Sequence, residues 1–146
     1  MRTLVHLSDL HFGRTDPALI EPLIASVNGI GANLVVVSGD LTQRAKQAQF
    51  EEARDFLARL APPRLVVPGN HDVPLYRVWE RFLSPLGKYC RIIDSNLEPT
   101  FVDGEIAVVG VNTARSFTFK DETVSGVCKA EPDGNTLVCA PLCIHD

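Results

Sequence analysis

Along the first half of the chain the apolar positions switch between two periods. "RTLVHLSD" (2–9) and "NLVVVSGD" (33–40) are short runs rich in branched apolar residues that end in polar ones, which predicts strands. The second run is continuous enough to suit a strand buried on both faces. "PPRLVVPGNHD" (62–72) predicts a third strand. Between these runs the spacing becomes helical. Asp16 followed by Pro17 reads as an N-cap and first helical residue, predicting a helix over about 17–28 that Pro22 kinks or delays. In "QRAKQAQFEEARDFLARL" (43–60), Phe50, Ala53, Phe56, Leu57 and Leu60 share one helical face, and Thr42 stands where it can cap. "YRVWERFL" (76–83) predicts a short helix, and "TFVDGEIAVVGVNT" (100–113) two strands joined at Asp103-Gly104. From about Asp121 the periodicity fades, Cys, Gly and Pro increase, and no long element is predicted.

Strand, helix, strand, helix, strand predicts an α/β fold with a parallel sheet and right-handed crossovers. The length, 146 residues, suits one domain, and 45% hydrophobic with 22% charged residues is ordinary for a soluble globular protein. The net charge of −4 supplies no footprint for long nucleic acids, but is compatible with a small phosphate ester held by metal. No apolar run is long enough to span a bilayer, and no apolar signal region follows Met1-Arg2, so a cytoplasmic location is expected, with no membrane partner. Three of the four cysteines, Cys128, Cys139 and Cys143, fall near the end, and in a reducing compartment are expected as free thiols. Together with His145 they form a weak zinc candidate, because no Cys-x-x-Cys knuckle is present.

The chemistry concentrates where the three strands end: "SDLH" with Asp9 and His11, "SGDL" with Asp40, and "PGNHD" with Asn70, His71 and Asp72. In a parallel sheet these ends share the carboxyl edge, where open α/β sheets place ligands. Asp9 and His11 are two apart, so an extended backbone would send both to one face. Gly39 and Gly69 permit tight turns and close backbone approach. Taken singly, Asp9 and Asp40 read equally well as strand-end caps, Asn70 as a turn residue, His71 as a surface histidine and His6 as a plain strand residue. Three such motifs on three successive strand ends argue instead for one site. Carboxylate, amide oxygen and imidazole suit Mn, Fe or Zn. A carboxylate between two such ions holds them roughly 3.5–4 Å apart, where they acidify water and neutralise a phosphate.

"SDLHFG", "VSGDLT" and "VPGNHD" resemble the signature blocks of the calcineurin-like metallophosphoesterase superfamily, and "SGDLTQRA", "PGNHDVPLY" and "GVNTARS" resemble its bacterial class III cyclic-nucleotide phosphodiesterase branch. The resemblance covers about 1–120 and implies an αββα sandwich. It also implies two divalent ions, with Asp9 and His11 on the first, Asp40 bridging and Asn70 on the second. His71 would donate a proton to the leaving group or stabilise the phosphoryl oxygens, and Asp72 is expected to orient His71. The family's later Gly-His and Gly-His-x-His motifs have no counterpart among His6, His11, His71 and His145. Only the first sheet and the opening hairpin of a second are therefore expected, with 121–146 as an atypical, truncated or frame-shifted tail. The first sheet's uncovered apolar face would favour self-association. The expected function is hydrolysis of a phosphoester, most simply a cyclic nucleotide or similar small phosphodiester, with little turnover by this chain alone. The rival reading is a non-catalytic remnant that binds a metal or partner weakly.

Overall fold

The computed structural model describes residues 1–74, 83–114, 128–130 and 136–139. Strands β1 (Leu4–Ser8), β2 (Leu34–Gly39) and β3 (Arg64–Pro68) form a parallel sheet in the order β1-β2-β3. The register aligns their ends: Ser8 lies opposite Ser38, and Gly39 opposite Pro68. Helix α1 (Pro17–Gly29) connects β1 to β2, and α2 (Gln47–Ala58) connects β2 to β3. Both pack on one face of the sheet, as successive crossovers of one hand require, with Ile24, Val27, Phe50, Phe56 and Leu57 against Val35, Val37 and Val66. Burying each large apolar side chain contributes about 1.5–3 kcal/mol. Every residue of β2 is buried, as its uninterrupted run predicts.

Asp16 caps α1 by accepting from the Ala18 N–H at 2.9 Å, and the helix runs on through Pro22 without a delayed start. Helix α2 begins later than expected. Its N-cap is Lys46 rather than Thr42. Ala45 adopts a left-handed φ of 48°, which breaks the helical path before residue 47. Gln49 holds the resulting loop by accepting from the N–H groups of Arg44 and Lys46 at 3.0 and 3.3 Å. A short helix α3 (Gly87–Ile92) seats Tyr89 in the core beside Phe50, where its hydroxyl donates to the Val66 carbonyl at 3.0 Å. The helix expected over 76–83 and the zinc candidate at Cys143 and His145 lie outside the described residues, as do the side chains of Cys128 and Cys139.

A second sheet contains β4 (Thr100–Val102), β5 (Ala107–Gly110), β6 (Cys128–Ala130) and β7 (Thr136–Cys139) in the order β4-β5-β7-β6. It is small, but it exceeds the single hairpin expected, because β7 pairs parallel to β5 and β6 pairs antiparallel to β7. The β4–β5 turn is centred on Gly104-Glu105 rather than Asp103-Gly104. Val102 pairs with Ala107, the Asp103 N–H donates to the Ile106 carbonyl, and the Asp103 carboxylate accepts from the N–H groups of Glu105 and Ile106.

The uncovered apolar face is also corrected. Leu34, Val36, Leu65 and Val67 are buried with Val108, and Phe101 and Ile106 pack against them from the second sheet. The surface on which self-association was expected is therefore filled.

Candidate metal centre

The first and second strand exits stay paired after the strands end. Asp9 N–H donates to the Ser38 carbonyl at 3.3 Å, His11 N–H to Asp40 at 3.0 Å and Phe12 N–H to Leu41 at 2.7 Å. The backbone is not extended there. Asp9 and His11 adopt left-handed φ values of 54° and 47°, so strand alternation does not explain their placement. Each such non-glycine residue costs on the order of 1–3 kcal/mol. The bonds to the second exit hold the chain in that path.

Close approach explains both glycines. Gly39 has φ 86°, and a Cβ there would meet the Asp9 carboxylate at 2.8 Å. A Cβ at Gly69 would meet an Asp40 carboxylate oxygen at 2.1 Å. The third exit thereby lies directly on the second.

Asp40 is the centre of the arrangement. It is buried, and its Oδ1 accepts from the His71 N–H at 2.9 Å. Its Oδ2 lies 3.9 Å from Nε2 of His11 and 3.9 Å from Nε2 of His71. The two imidazoles meet edge to face, with centroids 5.2 Å apart. One ligand atom each from His11, Asp40 and His71 fall within 4.8 Å of one another. Burial pushes the Asp40 carboxyl above its ordinary value, opposed by the His71 N–H and by both imidazoles, while Asp9 adds to the rise. A cation among these groups would relieve that cost.

His71 Nδ1 lies 3.0 Å from the Gln43 carbonyl oxygen. A carbonyl only accepts, so Nδ1 carries the proton and neutral His71 turns an unprotonated Nε2 toward Asp40. His11 Nδ1 is buried with no hydrogen-bond partner among the described residues, and the other nitrogen of the ring, Nε2, is the one that faces Asp40. An imidazole held this way beside a carboxylate and a second imidazole fits a divalent cation, which imidazole nitrogen and carboxylate oxygen suit chemically. The cluster opens into a cavity of about 800 Å³, whose lining includes Asp9, His11, Asp40, His71, Arg14 and Gln43.

The remaining expected site residues divide. Asp9 reaches the cavity wall but stands outside the three-residue cluster. Asn70 opens the 3₁₀ turn Asn70–Asp72, its carbonyl accepting from Val73, and is not among the residues lining the cavity. Asp72 does not orient His71. Its buried carboxylate points inward and accepts from the N–H groups of Gly69 (3.0 Å), Leu41 (3.2 Å) and Thr42 (2.9 Å) and from the Thr42 hydroxyl (2.8 Å). Burial pushes this carboxyl up to about 7, against the pull of those four donors. Asp72 thus clamps the second exit to the third, and the Gln43 carbonyl orients His71. His6, a strand residue as expected, pairs with the Ser38 hydroxyl at 2.7 Å, and burial lowers its pKa.

Sequence reasoning missed Thr42 and Gln43. The first was assigned to a helix cap, and the second acts through a carbonyl that every residue possesses.

A family model described as calcineurin-like phosphoesterase matches residues 2–132. Among curated proteins, the chain is 32% identical over 80 residues to a glycerophosphodiester phosphodiesterase of Enterobacter lignolyticus, covering 47% of this chain and 29% of that protein. It is 30% identical over 82 residues to a protein of Synechococcus sp. named a probable cyclic nucleotide phosphodiesterase, covering 49% and 32% respectively. It is also 30% identical over 76 residues to a UDP-2,3-diacylglucosamine pyrophosphatase of Chlamydia muridarum, covering 50% and 23%. The matches span less than a third of each relative's own length. No described helix is long and apolar enough to cross a membrane.

Proposed function

Since the chain belongs to the calcineurin-like phosphoesterase family over residues 2–132, we propose that it serves as a metal-dependent phosphoester hydrolase acting on a small phosphodiester. One observation carries this reading: the ends of three successive parallel strands bring His11, Asp40 and His71 together at the edge of one cavity. Asp9, His11 and Asp40 would hold a first divalent ion (Mn, Fe or Zn), and Asp40 with Asn70 would contribute to a second. When bound, such ions supply positive charge that neutralises a phosphate and acidifies water.

The chain's own groups do the rest. Asp40, fixed by the His71 N–H, presents Oδ2 between the two imidazoles. His71, with Nδ1 tied to the Gln43 carbonyl, takes up and releases its mobile proton at Nε2. That atom can serve a leaving oxygen in the cavity. A phosphodiester also suits the names of two relatives.

The test is a count of Mn²⁺ per chain by calorimetry, paired with hydrolysis of bis(p-nitrophenyl) phosphate. Two ions with slow turnover are expected, and Asp40→Asn should lower both ion binding and turnover at least about tenfold. One ion with no turnover at all would favour the binding-only rival. Metal binding unchanged by Asp40→Asn would remove the site assignment altogether.

A further inference from the structure

Beside the metal cavity lies a second recess of about 290 Å³, lined by Gly13, Arg14, Gln43, Arg44, Lys46 and Gln49. It shares Arg14 and Gln43 with the cavity, so the two are contiguous. Their charges contrast. The metal cavity collects Asp9, Asp16 and Asp40, whereas the recess collects three cations and no acid. Arg14, Arg44 and Lys46 are exposed, and none joins an ion pair among the described residues. Elsewhere Arg2, Arg54 and Arg59 each hold a carboxylate. Three cations with no ion pair among the described residues, clustered on a chain of net charge −4, are not explained by solubility.

Their position also opposes local stability. Lys46 is the N-cap of α2, where the helix dipole disfavours a cation, and the first turn has no acidic residue. The recess is nevertheless firmly built. Gln49 is 8% exposed, and its Oε1 accepts from the N–H groups of Arg44 and Lys46. That bonding fixes the amide's orientation. Its Nε2 lies against Gly13 at the recess wall and donates to no protein group among the described residues. The Gln49 amide donor, two guanidinium groups and an ammonium therefore line one space, and no acidic side chain lines it with them.

We infer that this recess binds a second phosphate of the substrate. The preferred substrate class is then a phosphodiester with a phosphate on one arm, the scissile group lying in the metal cavity and the other phosphate among Arg14, Arg44, Lys46 and Gln49. Guanidinium groups suit the tetrahedral dianion because they offer forked donors. The substrate class rests on the hydrolase reading, but anion binding in the recess does not.

Adenosine 3′,5′-bisphosphate and adenosine monophosphate are suitable calorimetric probes, used on the whole chain with Mn²⁺ and again after chelator treatment. The bisphosphate should bind about tenfold tighter, the effect of one or two charge-assisted hydrogen bonds. The double variant Arg44→Ala, Lys46→Ala should bind both probes alike while melting as the unaltered chain does, and Arg44→Lys should retain most of the preference. Equal affinities in the unaltered chain, or a preference that survives in the double variant, would overturn the inference. A preference lost in the double variant of a chain that never hydrolyses a diester supports the recess and sinks the hydrolase reading. Hydrolysis with no preference does the reverse.

Discussion

Thr42→Val tests the clamp beneath the metal centre. Thr42 is fully buried, and its hydroxyl donates to Asp72 Oδ1 at 2.8 Å while accepting from the Ala45 N–H at 3.1 Å. Valine keeps the shape and the Thr42 N–H bond but deletes these two hydroxyl contacts and a longer one, 3.4 Å, to the His71 carbonyl. The Ala45 N–H, on a residue only 2% exposed, would be stranded, at about 1–3 kcal/mol. At pH 8.5, above the point near 7 where Asp72 ionises, its carboxylate would lose one of four donors, about 1.5–3 kcal/mol for a bond to a charged group. The added methyl would return about 0.8 kcal/mol. A net loss of about 2–5 kcal/mol follows. With a urea m-value of about 2 kcal/mol/M, the midpoint should fall by about 1–2.5 M, read by far-ultraviolet circular dichroism. Thr42→Ser keeps both bonds and loses only a methyl, so it should cost about 1 kcal/mol. Because the clamp also positions Asp40 and His71, Mn²⁺ affinity should fall in the Val variant and persist in the Ser variant. A Val variant within about 0.5 kcal/mol of the unaltered chain, or a Ser variant as unstable as Val, would refute the clamp.

Asp72 itself should make stability depend on pH. Between the ordinary 3.8 and about 7 the native carboxyl retains a proton that the unfolded chain releases, so its contribution is largest below that window and is lost as pH rises through it. Asp72→Asn should remove this slope, which approaches about 1.4 kcal/mol per pH unit, and urea titrations of metal-free protein at pH 5, 6 and 7 that run parallel in the two proteins would contradict the assignment. Ala45→Gly should raise stability by about 0.5–1 kcal/mol by relieving the left-handed φ of 48°, and a lowered melting temperature would show that the methyl's packing outweighs the strain.

The strand exits were legible because each places polar residues directly after a short run of apolar, strand-forming residues. Their alignment follows once the strands are parallel, and the register of Ser8 with Ser38 and Gly39 with Pro68 realises it. Directions within the exits were not legible. His71 and Asp72 are adjacent, yet on a 3₁₀ turn one faces the cavity and the other the interior. Adjacency therefore suggested a contact that the backbone separates. Residues 43–46 read as helical because Ala, Gln, Lys and Arg are good helix formers, and nothing in their spacing signals the left-handed Ala45. Strands β6 and β7 have three and four residues, too few to display a period of two.

The Asp72 clamp also orders events in time. Its bonds to Leu41 and Thr42 join groups 31 and 30 residues apart, and they form only after the second crossover has closed. A chain emerging from the ribosome with β1, α1 and β2 already made would hold Asp40 on an unanchored loop, without His71. Ion capture therefore requires both crossovers to be closed, and an ion that binds only the chain so closed acts on the lifetime of the native state rather than on the path that reaches it.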